Sequence, residues 1–311
     1  MPLSYAQNLE DFHLSLAFAG QTHGFYIDVG AGHPVADNVT FWFYECGWRG
    51  IVVEPQPELA HLYRHVRPRD QCVPCLLGRA AGEADFYQFD RFHGLSTTVS
   101  SFADGAARLG EAYSIVRVPR ITLAQLCEQH GVGEIDILKI DVEGAEADVL
   151  AGNDWRRFRP KVVVAEAIML EDGSPTWASW EPFLLEQGYT FALFDTLNRF
   201  YVASEQHEIL ERMPRSRAAW DSATHMYEIG RAPESPHHPD HQLASELTQA
   251  FWALLPGLDA DTLAMLLARA RGTAPADMDA LRAEVQTDQF RAILGRIACG
   301  YDGGQILEPE K

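Results

Sequence analysis

The stretch from residue 24 to about 165 is a train of short apolar runs, each ending in glycine or charge and most leading into a segment with helical spacing. Phe25-Tyr26-Ile27-Asp28-Val29 ends in Gly30-Ala31-Gly32, and Ile51-Val52-Val53 ends in Glu54. Cys72-Val73-Pro74-Cys75-Leu76-Leu77, Ile135–Ile140 and Val162-Val163-Val164 continue the series. Helical spacing fills the gaps at about 35–46, 57–66, 121–130 and 145–150. Runs this short and this apolar read as strands buried on both faces, so the arrangement implies βαβ units around a parallel sheet with right-handed crossovers. Two further runs, Tyr189–Phe194 and Arg199–Val202, are joined by Asp195-Thr196-Leu197-Asn198 and read as an antiparallel hairpin closing one edge. The alternation in Ala84–Phe89 suggests a strand that decorates the sheet.

The flanks differ in texture. Tyr5, Leu9, Phe12 and Leu16 give residues 4–19 the spacing of one amphipathic lead-in helix. A Pro/His-rich breaker, Pro233 to His241, precedes three helical patterns at about 242–255, 259–271 and 277–298. Asp259 and Asp277 suit helix starts, and Gly272 suits a helix end. The expected organisation is a lead-in over 1–23, a main α/β domain over 24–230, a linker over 231–241 and a helical appendage over 242–311. Self-association is expected through the apolar helix faces of the appendage, which carry Leu254, Leu255, Leu263, Leu266 and Leu267.

Charge and composition narrow the partners. The 311 residues carry a formal charge of −19, with no Lys/Arg run of useful length, which argues against nucleic acid and anionic membrane surfaces. No segment approaches the roughly eighteen apolar residues of a membrane span. Glu10, Asp11 and His13 break up anything resembling a secretory leader. Five thinly spread cysteines fit buried thiols in a reducing compartment, so a cytoplasmic location is expected. Cys72 and Cys75 read as core thiols rather than zinc ligands, since no second pair accompanies them. His237, His238 and His241 read as part of a solvated linker. Trp42, Phe43 and Trp48 read as core packing; Trp177 and Trp180 fit either helix packing or stacking on a sugar ring.

The chemistry concentrates at strand tips. Gly30 and Gly32 stand where a strand hands over to a helix, allowing backbone N–H groups close to a ligand. Glu54, followed by Pro55, ends the next strand, where a carboxylate can accept both hydroxyls of a ribose. A dinucleotide fingerprint wants a third glycine, and this chain has Val35 there. An acid at Asp28 suits a cationic ligand better than a phosphate, which favours S-adenosylmethionine over a nicotinamide dinucleotide. A second burst of charge, Lys139-Ile140-Asp141-Val142-Glu143-Gly144-Ala145-Glu146, ends another buried strand, and Glu166 ends the one after. Lys139 is one of only three lysines, and a buried ammonium must be paired or functional; a structural ion-pair network is the plainer alternative.

These segments resemble the FkbM-type S-adenosylmethionine-dependent methyltransferases. The resemblance rests on Phe25–Gly32, on Gly47-Trp48-Arg49-Gly50-Ile51-Val52-Val53-Glu54-Pro55 and above all on Leu138–Glu146. Gly94-Leu95-Ser96-Thr97-Thr98 and Leu197–Ala203 are similar to a bacterial subgroup linked with glycan synthesis. It covers about residues 20–222. It implies a Rossmann-like class I fold, with a seven-stranded mostly parallel sheet and an antiparallel edge hairpin. It also implies methylation of hydroxyl oxygens on sugars, glycans or natural products. Where many relatives have Asn after Gly-Ala, this chain has Gly32-His33.

Methyl transfer from a sulfonium is an in-line displacement that needs an aligned acceptor and a group to take its proton. Asp141 and Glu143 are the first candidates, followed by Glu166 and His93, with Lys139 as a charged companion. The cofactor is expected to meet Asp28, Gly30, Ala31, Gly32, Glu54, Pro55, Ser96, Thr97 and Asp141, although the Ser96 and Thr97 hydroxyls could equally make local turn bonds. A divalent ion between Asp141 and Glu166 is the less favoured arrangement, because oxygen ligands at this spacing are not diagnostic. N- or carboxyl-methylation, a nicotinamide oxidoreductase and a non-enzymatic binding protein are the alternatives.

Overall fold

The computed structural model describes residues 3–89, 93–108, 110–169, 173–272 and 277–304. It divides into two compact units, Met1–Met226 and Tyr227–Lys311.

The first unit holds twelve strands among the described residues: β1 (Leu3–Ser4), β2 (Phe25–Val29), β3 (Arg49–Val53), β4 (Gln71–Val73), β5 (Leu76–Leu77), β6 (Gly82–Phe89), β7 (Tyr113–Ile121), β8 (Ile137–Ile140), β9 (Val162–Glu166), β10 (Tyr189–Phe194), β11 (Asn198–Ala203) and β12 (Thr224–His225). Seven of them form the main sheet in the order β10-β11-β9-β8-β2-β3-β4. All neighbours in it are parallel except β11, which runs antiparallel to both β9 and β10. This is the Rossmann-like α/β sheet with the edge hairpin in place. Alternate residues feed opposite faces. Ile27, Val29, Ile51, Val53, Leu138, Ile140 and Val163 enter one core, while Tyr26, Val52, Ile137, Val162 and Val164 enter the other. Both faces are therefore dry, which is why these strands read as unbroken apolar runs.

Several boundaries differ from expectation for physical reasons. Pro74 splits the run 72–77, so β4 stays in the main sheet while β5 pairs with β7 in a second sheet of order β5-β7-β6. The long strand β7 and the helix Ser100–Arg108 are additions; β7 is largely exposed, so its apolar pattern is weak. The helix expected from 35 shrinks to Phe41–Glu45, since residues before it form a clamped loop. The lead-in helix is Glu10–Ala17, and its Leu14 and Ala17 are fully buried in the main core. Ahead of it, β1 pairs with β12 in parallel, Leu3 opposite Thr224.

The chain leaves β2 toward β3 and β4 on one side, and the later strands β8 and β9 lie on the other. The crevice at the carboxyl ends of β2 and β8 is thus the topological switch point, where open α/β sheets bind ligands.

The second unit comprises helices His241–Leu254, Ala260–Arg271, Met278–Val285 and Asp288–Ala298 around Leu255, Leu263, Val285 and Leu294. Residues 273–276 and 305–311 of the expected appendage lie outside the described residues. One expected helix becomes two because Thr287 caps a fresh start, accepting from the Phe290 N–H at 3.2 Å. Leu255 and Leu263 face the unit's own core, which corrects their placement on an outer face. Leu254, Leu266, Leu243, Leu247 and Phe251 are exposed. Among the described residues, no helix is long and apolar enough to cross a membrane.

Candidate active site

The turn after β2 is fixed from below by backbone and from behind by side chains. The N–H groups of Gly30 and Ala31 both donate to the Val53 carbonyl, at 3.1 and 3.2 Å. Gly30 has φ +70°, and a Cβ there would stand 1.7 Å from the Asp141 carbonyl oxygen. Only glycine lets the two strand tips come this close. Gly32, also left-handed at φ +60°, faces open space and donates its N–H to Glu54 at 2.9 Å.

Glu54 is 2% exposed and also accepts the Gln56 N–H at 2.9 Å. Burial raises its pKa to about 7, against the opposing pull of those two N–H donors. Pro55 follows, half-buried, before the helix Pro57–Val66. Gln56 in turn donates to the His93 carbonyl at 3.0 Å. His93 is itself exposed and lies on the glycine-turn side, where burial of His33, and then the neighbouring His93 ring, lower the pKa of His33.

Behind the turn, Asn38 donates to the carbonyls of Ala31 (3.0 Å) and His33 (3.1 Å). It accepts from Thr40 and from the guanidinium of Arg67. Arg67 is fully buried, paired with Asp70 at 2.6 Å and faced by the rings of Tyr26, Tyr44 and Tyr63. Thr40 donates to Asp28 at 2.7 Å. Asp28 is wholly buried, with its oxygens toward Thr40 and Lys139. Lys139 closes the circuit, donating to the Gly30 carbonyl at 3.0 Å and pairing with Asp141 at 3.3 Å. Although burial opposes it, the flanking Asp141 and Asp28 hold its pKa above the ordinary lysine value, so Lys139 stays charged and positions its neighbours. Sequence reasoning missed Asn38 and Arg67; Arg67 stands in a polar passage with Arg64, Arg69 and Asp70, so nothing local marks it as the buried one.

The opposite lip is acidic. Asp141 follows β8, Glu143 sits at a left-handed corner (φ +54°) and Glu166 is the last residue of β9. One oxygen from each lies within 4.8 Å of the others. Burial first, and then the charge of Asp141, pushes the pKa values of Glu143 and Glu166 well above the carboxylate range. Glu146 accepts the N–H groups of Val142 (3.2 Å) and Gly144 (3.1 Å), pinning the corner, and burial raises it to about 7. The Thr97 hydroxyl donates to the Glu143 carbonyl at 2.8 Å, and Ser96 Oγ accepts the Phe89 N–H at 3.1 Å. Both hydroxyls thus hold loops together at this lip.

Residues 28–191 match the FkbM methyltransferase domain family. The chain belongs to the FkbM methyltransferase family. The match spans the glycine turn, Glu54, the Lys139–Glu146 segment and Glu166. No curated protein matches the chain in sequence. Among solved structures, an O-methyltransferase from Bacillus cereus in complex with SAH is similar over 64% of this chain and 82% of its own. Its identity is 12% and its TM-score 0.34. Membership sets aside the oxidoreductase and non-enzymatic alternatives. Cys72 and Cys75 are free thiols whose pKa values burial raises to about 12 and about 11. In the second unit, His238 and His241 bond to nearby backbone. Trp180 packs on Tyr201, while Trp177 lies against Arg199.

Proposed function

We propose that this methyltransferase uses S-adenosylmethionine to methylate a hydroxyl oxygen of a sugar, glycan or natural-product acceptor. The observation that carries the reading is the pairing of a glycine turn with Glu54 on the adjoining strand tip, in a crevice whose opposite lip is acid. Glu54 offers ribose hydroxyls a buried acceptor. The lip repels pyrophosphate and attracts the cofactor's ammonium and sulfonium. The acceptor oxygen attacks the methyl carbon in line, the carbon–sulfur bond breaks with its electron pair going to sulfur, and the hydroxyl proton passes to a lip carboxylate. Asp141, Glu143 and Glu166, which converge at this lip, are the groups to which we assign that role. A polyhydroxylated acceptor suits a lip composed of hydrogen-bond acceptors.

Calorimetry with S-adenosylmethionine, S-adenosylhomocysteine and NAD tests the cofactor: the first two are expected to bind and the third not, and NAD binding alone would overturn the reading. The product distinguishes the acceptor. An ether methyl survives mild base, whereas release of methanol would indicate carboxyl methylation and transfer to nitrogen would indicate an amine. Free thiols fit a reducing, cytoplasmic setting. Self-association of the helical unit is placed on its exposed Leu243, Leu247, Phe251 and Leu254, and light scattering of Leu247→Glu tests it.

A further inference from the structure

We propose that Asp141, Glu143 and Glu166 together hold one divalent cation of the oxygen-preferring class that includes Mg2+, Mn2+ and Ca2+. The site exists independently of the methyl-transfer reading; only its meaning for catalysis rests on that reading.

The three carboxylates come from separate backbone positions and converge, one oxygen of each lying within 4.8 Å of the others. An ion bound by oxygen at about 2.1–2.5 Å has ligand atoms up to roughly 4–5 Å apart across its coordination sphere, so the three fit around a single ion. Two of the three also lack protein partners among the described residues. Glu143 Oε2 is shut off from solvent and meets no hydrogen-bond donor. Glu166 is 8% exposed, and among the described residues no hydrogen bond or ion pair reaches its carboxylate.

The other buried polar atoms without a hydrogen-bond partner among the described residues are His13 Nδ1, Asp28 Oδ1, which has only its ion pair with Lys139 at 3.5 Å, Asn153 Oδ1, Trp180 Nε1 and Asp195 Oδ2. Among the described residues, none of these belongs to a converging set of potential ligands. The nearby cation, Lys139, is already engaged with Gly30, Asp28 and Asp141, so it leaves Glu143 and Glu166 facing each other. Buried charges are kept when they are paired or bind a metal, and among the described residues there is no second pairing cation here. Three carboxylates fill only part of the shell that such ions require, which leaves positions for water or an acceptor hydroxyl. A hydroxyl bound there would be made more acidic.

The test uses the full chain freed of metal by chelation, with no cofactor present. Titration with Mn2+ followed by electron paramagnetic resonance is expected to show one bound ion per chain, displaced by Mg2+ or Ca2+. Glu143→Gln and Glu166→Gln are each expected to weaken binding at least tenfold, with circular dichroism melts checking the fold. Should either variant fail to fold, anomalous diffraction from Mn2+-soaked wild-type crystals decides whether the ion sits among the three residues. No binding at millimolar Mn2+, binding unchanged in both folded variants, or an ion located elsewhere would each overturn the site. Calorimetry with S-adenosylmethionine in chelator is read separately. Mn2+ binding without cofactor binding keeps the ion and unseats the function; cofactor binding and turnover with no ion bound does the reverse.

Discussion

Two clusters of buried charge flank the glycine turn, and they are built on opposite principles. Behind the turn, Arg67, Asp70, Asn38, Thr40, Asp28 and Lys139 answer one another through short bonds, and Arg67 and Asp28 are wholly buried. Across the crevice, Glu166 is 8% exposed and Glu143 is half-buried with its Oε2 shut off from solvent, and among the described residues no donor reaches that oxygen or the Glu166 carboxylate. In the first cluster every charge has an opposite partner, so it is scaffold. The second is incomplete, and a protein tolerates that where a ligand supplies what is missing. The difference separates residues that hold the site from those that act in it, although both sets contain buried ionisable groups.

The largest expected effect falls on Asp141, which belongs to both clusters. Asp141→Asn should lower turnover by about 10²–10⁴-fold if it takes the proton. Its effect on cofactor affinity should be much smaller, as single-turnover assays and calorimetry would show; equal turnover removes it from the chemistry. On the completed side, Arg67→Ala should cost about 3–5 kcal/mol in urea unfolding, because it strands Asp70 without its cation. A loss under about 1 kcal/mol would mean that the pairing does not support the fold. On the incomplete side, Glu166→Gln should leave stability within about 1 kcal/mol of the parent or raise it, since a neutral isostere removes repulsion. A large destabilisation would show that Glu166 has a structural partner after all.

The smallest effect is one of pH and concerns a third buried acid. Glu10 accepts from Asn198 at 2.6 Å and from the Asn8 N–H at 2.7 Å. Burial, aided by the charge of Asp195, nonetheless raises it from 4.5 to about 8. Between those values the folded protein binds more protons than the unfolded chain, so Glu10's contribution is full below 4.5 and is lost as pH climbs to about 8. His13, lowered by burial from 6.5 to about 4, acts in the opposite sense below 6.5. The melting temperature should therefore fall from pH 6.5 to 8, and Glu10→Gln should flatten the slope. An unchanged slope in that variant would assign the titration elsewhere.

The sheet was legible because its strands are buried on both faces and cannot hide an apolar pattern. Phe25–Val29 and Tyr189–Phe194 were readable to the residue. Strand β7 was not, because Tyr113–Ile121 is an exposed decoration whose side chains alternate little. Within the site, the glycines and Glu54 could be placed because their backbone position alone implies their use. Long-range bonds were beyond reach. Nothing in local sequence says that Arg67 meets Asn38, or that Thr97, in a distant loop, holds the carbonyl of Glu143. The appendage helices were found, yet which of their leucines point inward depends on a packing that periodicity leaves open, as Leu255 and Leu263 demonstrate.

The pairing of Leu3 with Thr224 has a consequence for how the molecule is made. The first strand waits for a partner that the ribosome delivers near the end of the unit. The lead-in helix waits too, since Glu10 needs Asn198 and His13 needs the Ala218 N–H. A nascent chain halted before residue 198 therefore carries the central strands without their seal, and the unit closes only when its beginning and its end meet.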